Sequence, residues 1–346
     1  MNIIEILTPS YDAAWLPWAV QYFFLVAIAC TTAITAAVVA LRPVDAPERQ
    51  ILPAAVTILA VTAVAAPVAL LADLHQPARF WHFYAYFTPW SWMSIGAVLL
   101  PIFVSLSLLF CALWWLGKNS LLRICGLALI VSALTILLYT GAEVMIVRSR
   151  PLWHTYFLPI NFALTGWLAA LGAMLFVARW LPGGVATLPA AYMRKLGLLT
   201  LALLTLSAMA WVITGWLGLD PSFPAALELF ITYPTWRTSL ISSVVLALLL
   251  FLLLRVPASR LCTPWHSLFC AVLMMAAAWV FRWVVLMSVQ GVPKYGAGLY
   301  LHSMPLGSNG LLGMLGVFGL CAALLAIVTW FIDRYPSWTA LRPHNA

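Results

Sequence analysis

Residues 121–154 read LLRICGLALIVSALTILLYTGAEVMIVRSRPLWH. A long apolar run carries Glu143 near one end and leaves through Arg148, Arg150, Pro151 and Trp153. About 20 predominantly apolar residues cross the hydrocarbon core of a bilayer as a helix, so this stretch reads as a transmembrane span. A carboxylate inside such a span is costly and is usually kept for function. Tyr139 lies one helical turn before Glu143, so both side chains share a helix face and can meet one cavity. The pair points to a site near the bilayer surface that handles protons and a polar ring.

The rest of the chain extends that reading. Of its 346 residues 65% are hydrophobic and 8% charged. Soluble domains carry about 25% charged residues, so this chain cannot solvate itself and must sit in a membrane. Its apolar runs are continuous, unlike the short alternating segments of a membrane barrel. The expected fold is an all-α integral membrane protein. Nine spans are expected, at about 17–40, 52–72, 92–116, 121–146, 156–180, 196–217, 238–254, 266–290 and 310–332. The start lacks a basic n-region and its first apolar run is long, so no cleavable signal is expected.

The net charge is +8, yet the basic residues lie scattered over short loops, which excludes a nucleic-acid surface. Arg42, Arg49, Lys118, Arg123, Arg179, Arg194, Lys195, Arg255, Arg260, Arg334 and Arg342 all fall on one side of the spans. The positive-inside rule makes that side cytoplasmic, with the N-terminus outside and the C-terminus inside. Arg148 and Arg150 break the rule, which hints at a role other than topology.

The opposite side is richer in chemistry. One segment runs from Asp73 through His75, Gln76, Arg79, Trp81, His82, Tyr84 and Tyr86 to Trp90. A second runs from Gly215 through Asp220 to Arg237, and a third, Gly/Pro-rich, from Gln290 to Gly307. Interfacial Trp and Tyr are ordinary anchors. Asp, His, Gln and Arg within seven residues are not explained that way, so this face is expected to work and to dock another protein.

Several polar residues compete for a site. Asp73 is either a cap at the end of span two or a proton-handling group. Glu143 either joins Arg148 or Arg282 in a structural ion pair or serves the cavity. Arg282 lies roughly 12 Å below the outer end of span eight, too deep to snorkel easily, so it needs a partner. Asp73 and Glu143 are the nearest acids in depth. Gln21 and Tyr22 sit near the outer end of span one, where Gln21 suits a carbonyl, a hydroxyl or an interhelical bond.

Metal centres find little support. Five of the cysteines lie in apolar spans and Cys262 in a loop, with no paired spacing. His75, His82, His154 and His302 are at the outer rim, His266 at the inner rim and His344 in the tail. A haem within the bundle needs histidines at membrane depth on facing helices. No haem and no iron–sulfur cluster is expected in this chain.

Three motifs in order resemble the NrfD/polysulfide reductase membrane-subunit family. They are Asp73-Leu-His-Gln-Pro-Ala-Arg79-Phe-Trp81, then Tyr139-Thr-Gly with Arg150-Pro-Leu-Trp153, then Phe281-Arg282 running to Gln290-Gly. Members usually have eight spans in two four-helix bundles. The ninth span and the length here are most similar to the tetrathionate-reductase branch, and His75 stands where the family usually has Gly. The resemblance implies a first four-helix bundle with the quinone site over 1–150, a second over 151–305, and an added helix and cytoplasmic tail over 306–346. It implies a multi-pass subunit of the bacterial inner membrane that binds menaquinol near the periplasmic surface. Its partners would be a periplasmic four-cluster ferredoxin-like subunit and a molybdopterin catalytic subunit, which hold the clusters and the molybdopterin. Tyr139 and Gln21 would contact the quinone ring, with Arg282, Gln76 and Arg150 among the polar groups around it.

On that reading Glu143 or Asp73 accepts the quinol proton, with His75 as an alternative relay. The rivals are a secondary transporter and a haem-b anchor. Transporters place their sites near the midplane on broken helices, whereas these polar groups gather at one surface.

Overall fold

A computed structural model describes residues 15–74, 76–290 and 304–335. Among them nine helices are long and apolar enough to cross a membrane. We number them α1 (Pro17–Ala40), α2 (Leu52–Asp73), α3 (Trp92–Trp115), α4 (Asn119–Met145), α5 (Phe157–Val177), α6 (Ala190–Trp216), α7 (Pro234–Arg255), α8 (Pro264–Trp283) and α9 (Leu311–Arg334). The chain is therefore an all-α, multi-pass integral membrane protein.

Local chemistry sets the helix ends. Proline occupies the first turn of α1, α2, α7 and α8, where its missing N–H costs nothing. After α3 the chain reverses at Gly117, whose φ of 67° suits a residue without a Cβ. There the amide of Lys118 bonds the carbonyl of Leu113 and that of Gly117 bonds Trp114, which closes the helix in a Schellman motif.

Helix α1 forms the axis of the molecule. It is buried along almost its whole length and packs against α2, α4 and α5, with further contacts to α8 and α9. Its sequence makes this possible: it has no charged residue and is rich in Ala and Thr, which let neighbouring backbones approach. Two of its threonines turn their hydroxyls back onto the helix's own carbonyls. Thr31 donates to the Ala27 carbonyl at 2.7 Å and Thr35 to the Thr31 carbonyl at 2.8 Å. Helices α7 and α9 lie at the periphery and present most of their surface outward.

The spans match the apolar runs, with two differences. Helix α6 begins at Ala190, before the pair Arg194 and Lys195 at which the apolar run starts. Arg194 stays inside the helix because its Nε donates to the Leu254 carbonyl at 2.8 Å. A further helix, Ser222–Thr232, occupies the loop between α6 and α7. Asp220 begins it by accepting bonds from the Ser222 amide at 2.8 Å and the Thr155 hydroxyl at 2.5 Å. Most of the Gly/Pro-rich segment after Gln290 lies outside the described residues.

Candidate functional site

At the face where α1 begins, α1 to α4 enclose a cavity of about 300 Å³. This is at the lower end of the range of small-molecule sites. Pro67, Leu70 and Leu71 of α2 form one wall, and Met93, Gly96, Leu100 and Pro101 of α3 the other. Phe80, Phe83 and Tyr84, from the segment joining those helices, stand at the mouth with Leu71 and Met93. Of these, Leu71, Phe80, Tyr84 and Met93 are exposed, whereas Tyr22 and Tyr139 are buried, so the cavity runs inward from an apolar opening to a polar end.

That end carries Tyr22 of α1 and Tyr139 and Glu143 of α4. Tyr139 and Glu143 lie one helical turn apart on α4, and Tyr22 of α1 joins them in lining the same cavity. Tyr139 is seated by Gly96: a Cβ at that position would collide with the phenol ring. Trp92 flanks the same ring, with centroids 6.2 Å apart. The arrangement offers two phenol hydroxyls and one carboxylate to a flat ring whose faces meet hydrocarbon.

Asp73 ends α2 and turns toward α1. Its Oδ1 accepts the backbone N–H of Leu16 at 3.1 Å, one residue before Pro17. A carboxylate there satisfies a free amide of the helix start and lies at the positive end of the helix dipole. It remains near enough to Glu143 for the two charges to interact.

The family described as "Polysulphide reductase, NrfD" matches residues 7–294. The chain belongs to the NrfD family. It is also 36% identical over 340 residues to a tetrathionate reductase subunit of Salmonella typhimurium, covering 94% of each chain.

Four motif residues of this NrfD-family chain, Arg150, Trp153, Arg282 and Gln290, are brought together elsewhere, around the end of α8. Beyond Trp283 the helix widens into a π turn, Val284–Ser288. The Val289 amide bonds Val284 and that of Gln290 bonds Met287. The Trp153 indole donates to the Val285 carbonyl at 2.6 Å and the Gln290 side chain to the Leu286 carbonyl at 2.9 Å. Arg150 donates to the Val289 carbonyl at 2.8 Å and lies 5.2 Å from the Trp153 ring centroid. Burial draws its guanidinium below its ordinary pKa, and these contacts compensate the cation. Gln290 also clasps Trp15, accepting from its amide at 3.1 Å and donating to its carbonyl at 3.0 Å.

Among the described residues Arg282 meets no carboxylate, contrary to the partner its depth suggests. It is fully buried, and its four hydrogen bonds go to neutral oxygens: the carbonyls of Phe23, Phe162 and Ala278 and the Thr165 hydroxyl, at 2.9–3.1 Å. It therefore ties α8 to α1 and α5. Gln21 is fully buried too, and donates to the Met314 carbonyl of α9 at 2.7 Å rather than lining the cavity. Gln76 is exposed beside the turn Pro77–Arg79, and His75 lies outside the described residues. Among the described residues no three His, Cys, Asp or Glu side chains gather as a metal ion would need. Sequence reasoning noticed Tyr22 and Tyr84 but gave neither a role in the cavity, and it missed Gly96. An interior proline in both α2 and α3 was the available signal for this cavity.

Proposed function

We propose that this chain is the membrane anchor and quinol-oxidising subunit of a molybdopterin/iron–sulfur reductase of the bacterial inner membrane. It would pass electrons from menaquinol to a four-cluster ferredoxin-like partner, for tetrathionate reduction on a molybdopterin subunit. Family membership and the likeness to the tetrathionate reductase subunit of Salmonella typhimurium support the setting. One observation carries the site: an otherwise apolar cavity ends in Tyr22, Tyr139 and Glu143.

Those residues fit a quinol head. The walls are hydrocarbon and aromatic, and the polar groups stand together at one end. A bound quinol supplies two electrons and two protons. The Tyr139 and Tyr22 hydroxyls hold the ring oxygen in place, and the Glu143 carboxylate takes one proton at its Oε atoms, passes it outward, and then takes the second. Asp73 holds the start of α1, and with it Tyr22, while sharing the negative field around Glu143. His75, two residues further along the chain and outside the described residues, is the alternative relay. Gln21, Arg150 and Arg282 hold the helices that carry the site, and exposed Gln76 belongs to its rim.

The cavity face is extracytoplasmic in this proposal, in keeping with the basic loops at the other helix ends. Residues 1–150 and 151–305 then form two four-helix units, with 306–346 as an addition.

The test is quinol oxidation by the purified complex in lipid discs. Tyr139→Phe combined with Glu143→Gln lowers the rate about 100-fold or more, the scale of lost proton transfer. A normal rate in that double variant overturns the assignment.

A further inference from the structure

Pro101 stands inside α3. Proline has no N–H, so the carbonyl of Ala97, four residues earlier, lacks its usual helical donor. The Tyr84 hydroxyl donates to that carbonyl at 2.9 Å. Tyr84 belongs to the four-residue helix His82–Ala85, which follows the turn Pro77–Arg79 on the way from α2 to α3. Phe80, Phe83 and Tyr84 of this segment and Ala97 and Pro101 of α3 all line the cavity. One hydrogen bond thus fastens the connecting segment to the wall opposite, at the opening.

We propose that residues 77–86 are a strap across the mouth of the cavity, latched by Tyr84 on the carbonyl that Pro101 leaves open. Tyr84 is then a positioning residue that sets how readily a lipid-soluble ring with a hydrocarbon tail enters and leaves. A neutral hydrogen bond suits a latch, being strong enough to bias the segment closed and weak enough to open as ligand exchanges. The apolar mouth faces the side from which such a molecule arrives. The access role rests on the quinol reading; the latch itself does not.

An ordinary interfacial tyrosine would also be half exposed, as Tyr84 is at 49%. The partnership with Pro101 separates the two. Pro101→Ala gives the Ala97 carbonyl an intrahelical donor, so the tyrosine matters less in that background. The experiment uses the full complex in lipid discs. Binding of 2-heptyl-4-hydroxyquinoline N-oxide is followed by fluorescence quenching, and hydrogen exchange is followed over residues 77–86. Tyr84→Phe raises exchange in the segment and speeds inhibitor dissociation about fivefold, the size of one lost hydrogen bond. Added to Pro101→Ala, the same change alters dissociation by less than about twofold, the signature of two residues acting on one bond. Unchanged exchange in Tyr84→Phe, or effects that add, overturn the latch. Raised exchange with unchanged dissociation overturns its control of access. If the unaltered complex fails to bind the inhibitor, the quinol reading fails instead, and the exchange cycle alone decides the latch.

Discussion

The phenol of Tyr139 rests on the Cα of Gly96, at a contact so close that no side chain fits between them. Gly96→Ala therefore pushes the ring off its seat and out of line with Glu143. Overpacking of this kind costs about 1–3 kcal/mol. Quinol oxidation should fall about tenfold or more, since a displaced orienting group loses much of its catalytic value. Steady-state rates and thermal unfolding of the complex measure both effects, and full activity in Gly96→Ala contradicts the role given to Tyr139.

Asp73 offers a sharper separation of roles. As a cap on α1 it needs only an oxygen acceptor for the Leu16 amide. Asp73→Asn keeps that oxygen and should leave stability almost unchanged, whereas Asp73→Ala should cost about 1 kcal/mol. As the group that takes the quinol proton, Asp73 would instead lose its function in the asparagine variant. Measured rates for Asp73→Asn within about threefold of normal, against loss in Glu143→Gln, assign the proton to Glu143.

For Arg282 the lysine variant is expected to be worse than methionine. Lysine keeps the buried charge but lacks the planar fork that reaches α1 and α5 together. Methionine removes the charge, and helix carbonyls retain their own backbone donors. Arg282→Lys should destabilise the protein by about 3 kcal/mol, and Arg282→Met by less. Thermal unfolding in detergent gives the order, and the reverse order refutes this account of the residue.

Trp153→Phe preserves most of the ring stacked 5.6 Å from Trp15 but removes the indole donor from the Val285 carbonyl. An unsatisfied buried acceptor costs about 1–3 kcal/mol. Hydrogen exchange should rise over 284–290, where the π turn depends on that bond, before it rises elsewhere. Equal protection there in both proteins tells against the capping role.

The spans were legible because continuous apolar length is a one-dimensional signal, and α1 falls where its run falls. The Tyr139–Glu143 pair was legible for a similar reason, since a spacing of four fixes a shared helix face. What the sequence withheld was rotation. A helix that is apolar all round, such as α1, does not announce which face meets its neighbour, so Tyr22 could not be assigned to the cavity nor Gln21 to α9. Arg282 misled because a buried cation prompts a search for acids, whereas helix carbonyls with a spare lone pair leave no trace in the residue types. Asp73 kept both readings open, since a carboxylate at a helix end looks the same whether it caps a neighbour or moves a proton.

The clasp between Gln290 and Trp15 joins points 275 positions apart in the chain. A polypeptide threaded into the bilayer from its first residue must insert its central helix long before the clasp can close. Throughout most of synthesis that helix is held by its early neighbours alone, its start capped by Asp73 and not yet by Gln290. Biogenesis thus has a built-in order: the helices around the cavity come first and gain the Gln290 contact only when the eighth crossing arrives, so a chain released before that point has the cavity walls without that contact.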